Sequence, residues 1–279
     1  MLLVLGHTGF IGSTLLSKAH SMGIEAIGAS RKNVDLCDAL EVASFWEKIK
    51  APCTVVICAV RNKKDCDDVS CVADNVAMVR NVMNSGRGKI TSLIYLSTVD
   101  VYGSNPKLPI TEKSDARPQH YYALSKLAAE CAINFEDDAY PKTIFRLPGI
   151  YGEGDSFQSI ISLFYKRSVE TGKISLSGNV LRDYVYVGDL CNLILQCVMA
   201  PLPGLFNVAT GKSLSLEEIA HLAGKISNRH TEITFSSVAS KGAALDLTFD
   251  ISHLKEHFPK WNPMTIARGV SHMSSFWLS

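Results

Sequence analysis

The sequence has no long hydrophobic run, no excess of charge of one sign and no cysteine pair at CxxC spacing. Its apolar stretches fall well short of the about 20 residues that a membrane-spanning helix needs, so no membrane span is predicted. The 28 Lys and Arg residues against 27 Asp and Glu residues leave a formal net charge of +1. This balance indicates neither nucleic acid nor an anionic membrane as a partner, and the composition is typical of a soluble globular protein.

The eight cysteines lie at positions 37, 53, 58, 66, 71, 131, 191 and 197. Several are inside apolar runs, where cysteine behaves as a small buried hydrophobic residue. We therefore predict reduced thiols and no metal site. The chain starts with the residues MLLVLG, which have neither the basic leader nor the length of a signal peptide and therefore predict a cytoplasmic protein.

Short apolar runs alternate with amphipathic stretches through the first half of the chain. Because the runs are continuously apolar, they are typical of parallel strands that are covered on both faces. We predict strands at 2–5, 24–29, 53–58, 90–97 and 142–147, and helices at 10–22, 39–49, 72–86 and 121–137. The alternation predicts an α/β fold with a doubly wound parallel sheet of the Rossmann type.

The rhythm changes after Pro148, where glycines separate shorter elements. We predict strands near 183–187 and 205–208 and helices near 157–171, 189–199 and 215–227. The pattern divides the chain into a larger domain at 1–148 and a smaller region at 149–279, with 183–210 returning to the main sheet.

Three glycines, Gly6, Gly9 and Gly12, follow the first predicted strand at GxxGxxG spacing and open a helix. In such a loop the first glycine allows a tight turn, the second lets backbone N–H groups approach a pyrophosphate, and the third lets the helix pack closely on the sheet. The helix N-terminus adds partial positive charge. The segment therefore predicts a dinucleotide-binding site, whose members also include Thr8, Phe10 and Ile11.

The second predicted strand ends at Ala29, and Ser30 and Arg31 follow it. An acidic residue at this point would hold an adenosine ribose, whereas an arginine suits a 2′-phosphate. Ser30 and Arg31 therefore favour NADP over NAD as the cofactor, and the alternative is that Arg31 is a solvated loop residue. Asp35 either accepts a hydrogen bond from an adenine amino group or caps the helix that begins near residue 39.

Tyr122 and Lys126 are four residues apart and share one face of a predicted helix. A phenol with its ordinary pKa of about 10 is a poor base at neutral pH, and a nearby ammonium lowers that pKa. Such a pair can pass the proton that accompanies hydride transfer. This spacing is common by itself, but Thr98 ends the fourth predicted strand, where ligands bind in such sheets. Thr98 can hydrogen-bond the same substrate oxygen.

These motifs resemble those of the extended short-chain dehydrogenases/reductases, which include nucleotide-sugar epimerases, dehydratases and ketoreductases. The similarity rests on the glycine loop, on STVDVYG at 97–103 and on YALSK at 122–126. It extends to RLPGIYG at 146–152, RDYVYVGDL at 182–190 and LFNVATG at 205–211. The matching segments follow the family's order over nearly the whole chain.

The resemblance implies that Thr98, Tyr122 and Lys126 carry catalysis, with Lys126 also holding the nicotinamide ribose. It implies that Asn75 supports the cofactor site. It also implies that Arg182 binds a substrate phosphate, for which a planar bidentate donor is well suited. The alternative for this arginine is a structural ion pair with one of the two nearby acidic residues, Asp183 or Asp189.

Two positions depart from the family's pattern. Gly149 stands where nucleotide-sugar epimerases usually have asparagine, so one contact to the substrate's diphosphate would be lost. The 4,6-dehydratases carry adjacent acidic residues after the strand-end threonine, whereas here Val99 leaves only Asp100, a candidate for substrate binding. One carboxylate does not readily serve as both acid and base in the elimination of water, which disfavours a dehydratase.

We therefore predict an NAD(P)-dependent oxidoreductase or epimerase that acts on a nucleotide-linked sugar, with a 4-ketoreductase slightly favoured over a 4-epimerase. Residues 1–148 would bind the dinucleotide and residues 149–279 the substrate. The alternatives are an inactive redox-sensing module, against which the intact catalytic residues argue, and a reductase of a non-sugar carbonyl, which only Gly149 supports. The resemblance also implies a homodimer formed by the helices at 72–86 and 121–137, whose apolar faces otherwise only cover the sheet.

Overall fold

The computed structural model describes residues 1–66, 68–136, 139–236 and 246–277. The chain divides into two compact units. The first unit consists of Met1–Gly103, Asp115–Arg146 and Cys191–Phe206. The second unit consists of Ser104–Ser114, Leu147–Leu190 and Asn207–Ser279.

Strands and helices alternate along the described residues. The strands are β1 (Leu2–Leu5), β2 (Ala26–Ala29), β3 (Cys53–Ile57), β4 (Ile90–Thr98), β5 (Lys142–Leu147), β6 (Gly149–Tyr151), β7 (Lys173–Leu176), β8 (Leu181–Arg182), β9 (Tyr184–Tyr186), β10 (Gly204–Asn207), β11 (Leu214–Ser215) and β12 (Glu232–Phe235). The helices are α1 (Phe10–Ser21), α2 (Ala39–Lys48), α3 (Ser70–Ser85), α4 (Tyr121–Phe135), α5 (Ile160–Thr171), α6 (Val187–Met199), α7 (Leu216–Ser227), α8 (Ser252–His257) and α9 (Ile266–Trp277). None of the helices in the described ranges is long and apolar enough to cross a membrane.

Six strands form the central sheet in the order β10–β5–β4–β3–β1–β2. Strand β1 pairs in parallel with β2 on one side and with β3 on the other, and β3 pairs in parallel with β4. Every residue of β1 and β3 is buried, as expected for strands covered on both faces. The chain first moves from β1 to β2 and then crosses to the opposite side of β1. Ligands bind at the carboxyl ends of the strands at such a switch point, and the predicted doubly wound α/β fold is confirmed.

The predicted elements of the first half match the observed ones to within a few residues at their ends. The strand predicted at 24–29 begins at Ala26, because the Ile24 N–H still donates to the carbonyl of Ala19 and closes the end of α1 at 3.0 Å. The helix predicted at 121–137 ends at Phe135, and its last predicted residue lies outside the described ranges. Helices α8 and α9 were not predicted.

The second unit contains three two-stranded pairings, β6 with β9, β7 with β12 and β8 with β11. Helix α7 packs against α5 and α9. It begins with a capping box in which Ser215 and Glu218 exchange side-chain and backbone hydrogen bonds, a pattern that satisfies two N–H groups at the helix start.

The cysteines correct one prediction. Cys66 and Cys71 are joined by a disulfide, with their Cα atoms 5.2 Å apart, so the prediction of reduced thiols is wrong for these two residues. A separation of five residues along the chain lets the Cα atoms come within the ordinary range for a disulfide. The other six cysteines are free. Burial raises the pKa of the Cys58 thiol to about 12, which makes that thiol unreactive.

Candidate active site

The glycine loop follows β1 and is shaped by close backbone approaches. Gly6 has a φ of +89°, and a Cβ there would lie 2.6 Å from the backbone nitrogen of Ala59. A Cβ at Gly12 would overlap the carbonyl oxygen of Gly6, whereas one at Gly9 would have only that oxygen nearby, at 3.4 Å. The first and third glycines are therefore required by packing, and the second leaves open space above the loop.

The start of α1, just after this loop, is suited to an anion. Gly9 is the residue before the helix, and it has no side chain with which to cap the first turn. The first N–H groups of a helix have no partners within the helix and carry partial positive charge. The Nδ1 atom of His7 in the same loop is also buried without a hydrogen-bond partner among the described residues. These features fit the pyrophosphate of a dinucleotide, with Thr8, Phe10 and Ile11 at the predicted contacts.

The segment after β2 lies beside the glycine loop, since the Gly6 N–H donates to the carbonyl of Ala29 at 2.7 Å. The hydroxyl of Ser30 donates to Asn33 Oδ1 at 3.0 Å. The guanidinium of Arg31 lies 3.2 Å from the carboxylate of Asp35, and its side chain is 88% exposed. This arginine is therefore accessible to a ligand.

The alternative role for Asp35 as a helix cap is wrong. The cap of α2 is Asp38, whose carboxylate accepts from the N–H groups of Leu40 and Glu41. Asp35 instead accepts from the Cys37 N–H at 3.0 Å, which tightens the turn before the helix. Its contact to an adenine stays a prediction.

Lys126 of α4 is buried beneath the carboxyl end of β4. Its ammonium donates to the carbonyl of Leu96 at 2.6 Å and lies 4.7 Å from the centre of the Tyr95 ring and 6.0 Å from that of Tyr122. The residue is only 3% exposed, and burial lowers its pKa to about 8. The structure therefore brings the predicted lysine and tyrosine together.

The direction of the Tyr122 pKa corrects the prediction from sequence. We expected the ammonium of Lys126 to lower this pKa. Instead, burial raises the pKa of Tyr122 well above its usual value, and the negative charge of Asp100 raises it further. Removing the phenol from water disfavours its charged form, and so does the nearby carboxylate of Asp100. The phenol is therefore protonated at neutral pH and is a proton donor.

Thr98 ends β4 with its side chain facing the following turn, where Oγ1 accepts from the Asp100 N–H at 3.2 Å. The carboxylate of Asp100 accepts from Lys63 at 2.9 Å and lies 3.3 Å from His120 Nε2. Burial alone would raise the pKa of Asp100, but hydrogen bonds and charges from His120 and Lys63 lower it to about 2. His120 Nδ1 also accepts from the Ala123 N–H and caps α4.

Neither Lys63 nor His120 was predicted from sequence. Lys63 lies in a short 3-10 helix after β3, and His120 precedes α4. Only the position of His120 directly before a helix could have suggested a cap. The ion pair with Lys63 joins residues 37 positions apart, which no local pattern reveals.

Asn75 of α3 makes hydrogen bonds to two neighbouring segments, and its role in the cofactor site stays a prediction. Its amide nitrogen donates to Ser125 Oγ at 2.8 Å, and its amide oxygen accepts from the Arg61 N–H at 2.7 Å. Ser125 in turn donates to the carbonyl of Tyr122 at 2.8 Å. The asparagine therefore fixes the segment after β3 against the helix that carries the tyrosine.

Gly149 lies in the second unit, opposite Tyr184 in the parallel pair of β6 and β9. A Cβ at this position would overlap the Cδ1 and Cε1 atoms of the Tyr184 ring. The asparagine that the resemblance leads one to expect here would therefore collide with that ring, which explains why this chain has glycine at this position.

Arg182, also in the second unit, ends β8. Both acidic residues proposed as its structural partners accept hydrogen bonds from backbone groups. The carboxylate of Asp183 accepts from the backbone N–H groups of residues 210 and 211 at 3.0 and 2.9 Å. Asp189 accepts from the Met264 N–H at 2.7 Å. These contacts hold loops of the second unit in place.

Comparison with known proteins agrees with this geometry. Residues 2–209 match the NAD dependent epimerase/dehydratase family. The chain is 27% identical over 280 residues to GDP-L-fucose synthase of Azorhizobium caulinodans, and the match covers 91% of this chain and 88% of that protein.

Two solved structures share the fold. One is UDP-glucose 4-epimerase of Thermus thermophilus in complex with NAD, with a TM-score of 0.85, 22% identity and coverage of 100% of this chain and 99% of that one. The other is RMD from Pseudomonas aeruginosa in complex with NADPH, with a TM-score of 0.80, 21% identity and coverage of 99% and 98%. The predicted resemblance is confirmed, and the chain belongs to the NAD dependent epimerase/dehydratase family of nicotinamide-dependent enzymes.

Proposed function

We propose that this protein reduces a keto group, at C4, on a nucleotide-linked sugar. The observation that carries the proposal is the position of the Tyr122 ring, 6.0 Å from the buried ammonium of Lys126, with Thr98 at the end of β4. A ketone that receives a hydride becomes an alkoxide and needs a proton, which a neutral phenol donates. An epimerase must first remove a proton from the substrate's hydroxyl, and for that step a raised phenol pKa is unfavourable.

Each residue of the site would have a separate role in the reduction. The hydroxyl of Tyr122 donates the proton to the developing alkoxide, and Thr98 Oγ1 hydrogen-bonds the same oxygen. Lys126 stabilises the phenolate that remains, because its ammonium is held near the ring in a buried environment. A bound nicotinamide would supply the hydride. Asp100 stays ionised, since its pKa is about 2, and is available to accept from a sugar hydroxyl.

The assignment of a nucleotide-linked sugar rests on Arg182 and on the relatives. A guanidinium binds paired phosphate oxygens with a rigid fork of donors. The names of the GDP-L-fucose synthase and of the UDP-glucose 4-epimerase identify a GDP-linked and a UDP-linked sugar. We transfer that substrate class to this chain as part of the proposal.

We further propose NADP as the preferred cofactor. Arg31 is exposed beside the glycine loop, where it pairs with the carboxylate of Asp35. An exchange of that ion pair for a 2′-phosphate would keep the guanidinium paired with an anion. A cofactor that is released after each turnover also suits a reductase.

We also propose a homodimer. In α3, Val79 and Met83 belong to the hydrophobic core of the first unit, so these two residues cover the sheet rather than a partner. Val72 and Val76 are only partly buried, as are Leu127 and Cys131 of α4, and Leu124 is 41% exposed. These remaining residues are the proposed contact with a second copy.

The test is turnover with defined substrates. The purified protein is incubated with NADPH or NADH and with 4-keto sugars linked to GDP, UDP or dTDP, and cofactor oxidation and product are followed by absorbance and NMR. Oxidation of one cofactor per sugar reduced, absent in Tyr122→Phe, is the expected result. Interconversion of sugar epimers without net cofactor oxidation would identify an epimerase instead. Reduction of simple ketones but of no nucleotide-linked sugar would contradict the proposed substrate class.

A further inference from the structure

The end of α7 and the turn that follows it enclose an open cavity of about 390 Å³ in the second unit. A cavity of this size is within the range of sites that bind small molecules. None of the residues to which we assign catalysis or substrate binding is among those that line it. Its lining is strongly basic, and the four basic residues are His221, Lys225, Arg229 and His230.

The backbone brings these side chains together from two directions. Asn228, directly after α7, has a left-handed conformation with a φ of +53° and reverses the chain. Gly224 leaves room for the returning segment, because a Cβ there would lie 2.9 Å from Thr231 Oγ1. Glycine destabilises a helix interior relative to alanine, so this close approach explains the glycine. The segment at 229–231 therefore lies against the last turn of the helix.

Three hydroxyl groups hold the returning segment in place. Ser168 Oγ lies 2.6 Å from Ser227 Oγ and 2.7 Å from Thr231 Oγ1. Thr231 also donates to the carbonyl of Arg229 at 3.2 Å. Ser168 is fully buried, and a buried network of satisfied hydrogen bonds favours one arrangement of the groups that form it. The shape of the cavity is therefore fixed by contacts within the protein.

The positive charges of the cavity are not neutralised by the protein itself. In the described ranges, no carboxylate forms an ion pair with its four basic side chains. Glu232, which follows the turn directly, pairs with Lys173 at 3.5 Å. The last carbonyl groups of α7 also have partners, because the Asn228 N–H donates to those of Gly224 and Lys225. The basic side chains are therefore not needed to satisfy the helix end.

We propose that this cavity is an anion site that binds a small phosphorylated molecule. A guanidinium holds phosphate oxygens with a planar fork of donors, and an ammonium adds a compact positive charge. The end of α7 opposes an anion with about half a negative charge, but Lys225 and Arg229 contribute two positive charges. The concave shape favours a free small molecule over a lipid headgroup in a flat membrane surface. This site is additional to the proposed function, in which Arg182 binds the substrate's phosphate.

The competing explanation is that Lys225 and Arg229 only complement the partial negative charge at the end of α7. In that case the two side chains stabilise the helix and bind no ligand. The two explanations differ in affinity for an anion and in thermal stability, so both quantities are measured on the same variants.

The probe is inorganic pyrophosphate, titrated into the protein saturated with NADP. The C–H signals of the histidine imidazoles are followed by NMR and assigned by single His→Gln variants. We expect the signals of His221 and His230 to shift in a saturable way and those of His253 and His257 on α8 to stay in place. Because these signals report the cavity, binding of pyrophosphate at Arg182 does not interfere. Unshifted signals of His221 and His230 at millimolar pyrophosphate would overturn the proposal.

A pair of double variants tests the two strongest charges. Lys225→Ala/Arg229→Ala should weaken the affinity read from the histidine signals about a hundredfold, at roughly tenfold for each bond to a charged group, with little change in Tm. The matched control is Lys255→Ala/Arg268→Ala, which removes the same charge from exposed positions of the second unit and should leave the affinity unchanged.

Three results would contradict the proposal. Equal losses of affinity in both double variants would show general electrostatic attraction and no specific site. A lower Tm with unchanged affinity in Lys225→Ala/Arg229→Ala would show that these side chains only stabilise the helix end. Binding of the protein to vesicles of anionic phospholipid, with no response of the two histidines to pyrophosphate, would identify a membrane surface as the ligand instead.

Discussion

The guanidinium of Arg146 on β5 and the carboxylate of Glu130 on α4 form a buried ion pair, with Nη2 and Oε2 2.6 Å apart and side chains 6% and 4% exposed. Arg146 Nε also donates to both carboxylate oxygens, and the hydroxyl of Ser97 donates to Oε1. Glu130 lies one helical turn after Lys126, and Ser97 lies directly before Thr98. The pair therefore ties together the helix and the strand that carry the proposed catalytic residues.

We expect single and double variants of this ion pair to differ in their free energy of unfolding. Glu130→Leu leaves the guanidinium of Arg146 buried without its partner, and we expect a loss of about 3–5 kcal/mol in the free energy of unfolding. The double variant Glu130→Leu/Arg146→Met removes both charges and should recover much of that loss. Urea unfolding followed by circular dichroism measures both values. A double variant as unstable as the single one would show that packing, and not the unpaired charge, causes the loss.

Tyr122→Phe should abolish turnover and leave dinucleotide binding nearly unchanged. Phenylalanine keeps the ring and removes only the proton donor, and proton transfer of this kind contributes about 10²–10⁴-fold to the rate. The measurements are kcat with the best substrate of the turnover test and the Kd for NADPH. The exposed neighbour Tyr121 offers the matched control, Tyr121→Phe, which should retain activity. Activity of Tyr122→Phe within about tenfold of wild type would exclude this residue as the acid.

Arg31→Ala should reduce the preference for NADP over NAD. Loss of a charge-assisted hydrogen bond to the 2′-phosphate should weaken NADP binding by roughly tenfold or more and leave NAD binding similar. The quantity to compare is the ratio of the two dissociation constants. Lys32→Ala removes a neighbouring positive charge and controls for general electrostatic attraction. If both variants have the wild-type ratio of dissociation constants, then Arg31 does not bind the 2′-phosphate of NADP.

We expect the buried Lys126 to make the free energy of unfolding depend on pH. Its pKa in the folded protein is about 8, below the usual value of 10.5, so between these values the unfolded chain binds a proton that the folded protein does not. The contribution of this group to the stability of the folded state therefore rises with pH across that window. The increase is about 3 kcal/mol, at about 1.4 kcal/mol per pKa unit.

The comparison that isolates this effect is wild type against Lys126→Met, because groups far from Lys126 titrate equally in both proteins. Unfolding free energies are measured by urea denaturation across the window. The difference between the two proteins should shift in favour of the wild type as pH rises. A difference that stays constant with pH would mean that the lysine is not held in its neutral form.

A substitution at Leu124 tests the proposed homodimer. Light scattering of the wild type at micromolar concentration should give twice the mass of the chain, and Leu124→Glu should give the mass of a monomer, because a buried charge without a partner is costly in an interface. Leu40→Glu is the control, since Leu40 is 80% exposed on α2. A monomeric wild type would remove the proposal.

The sequence by itself determined the features that depend on local patterns. The glycine loop could be predicted because GxxGxxG spacing between a strand and a helix is typical of a tight turn followed by a closely packed helix. The fold could be predicted because continuous apolar runs alternating with amphipathic helices require a parallel sheet. The helical spacing of Tyr122 and Lys126 is enough to put both side chains on one face.

Tertiary structure alone decided the features that depend on burial and on distant partners. The pKa of Tyr122 moves in the direction opposite to the prediction, because burial and the charge of Asp100 raise it, and sequence patterns do not measure burial. The ion pair of Asp100 with Lys63 joins residues that are 37 positions apart in sequence. The ion pair of Glu130 with Arg146 joins residues that are 16 positions apart. Such pairs form because the fold brings segments that are distant in sequence together, and no periodicity along the chain encodes which charges will be neighbours.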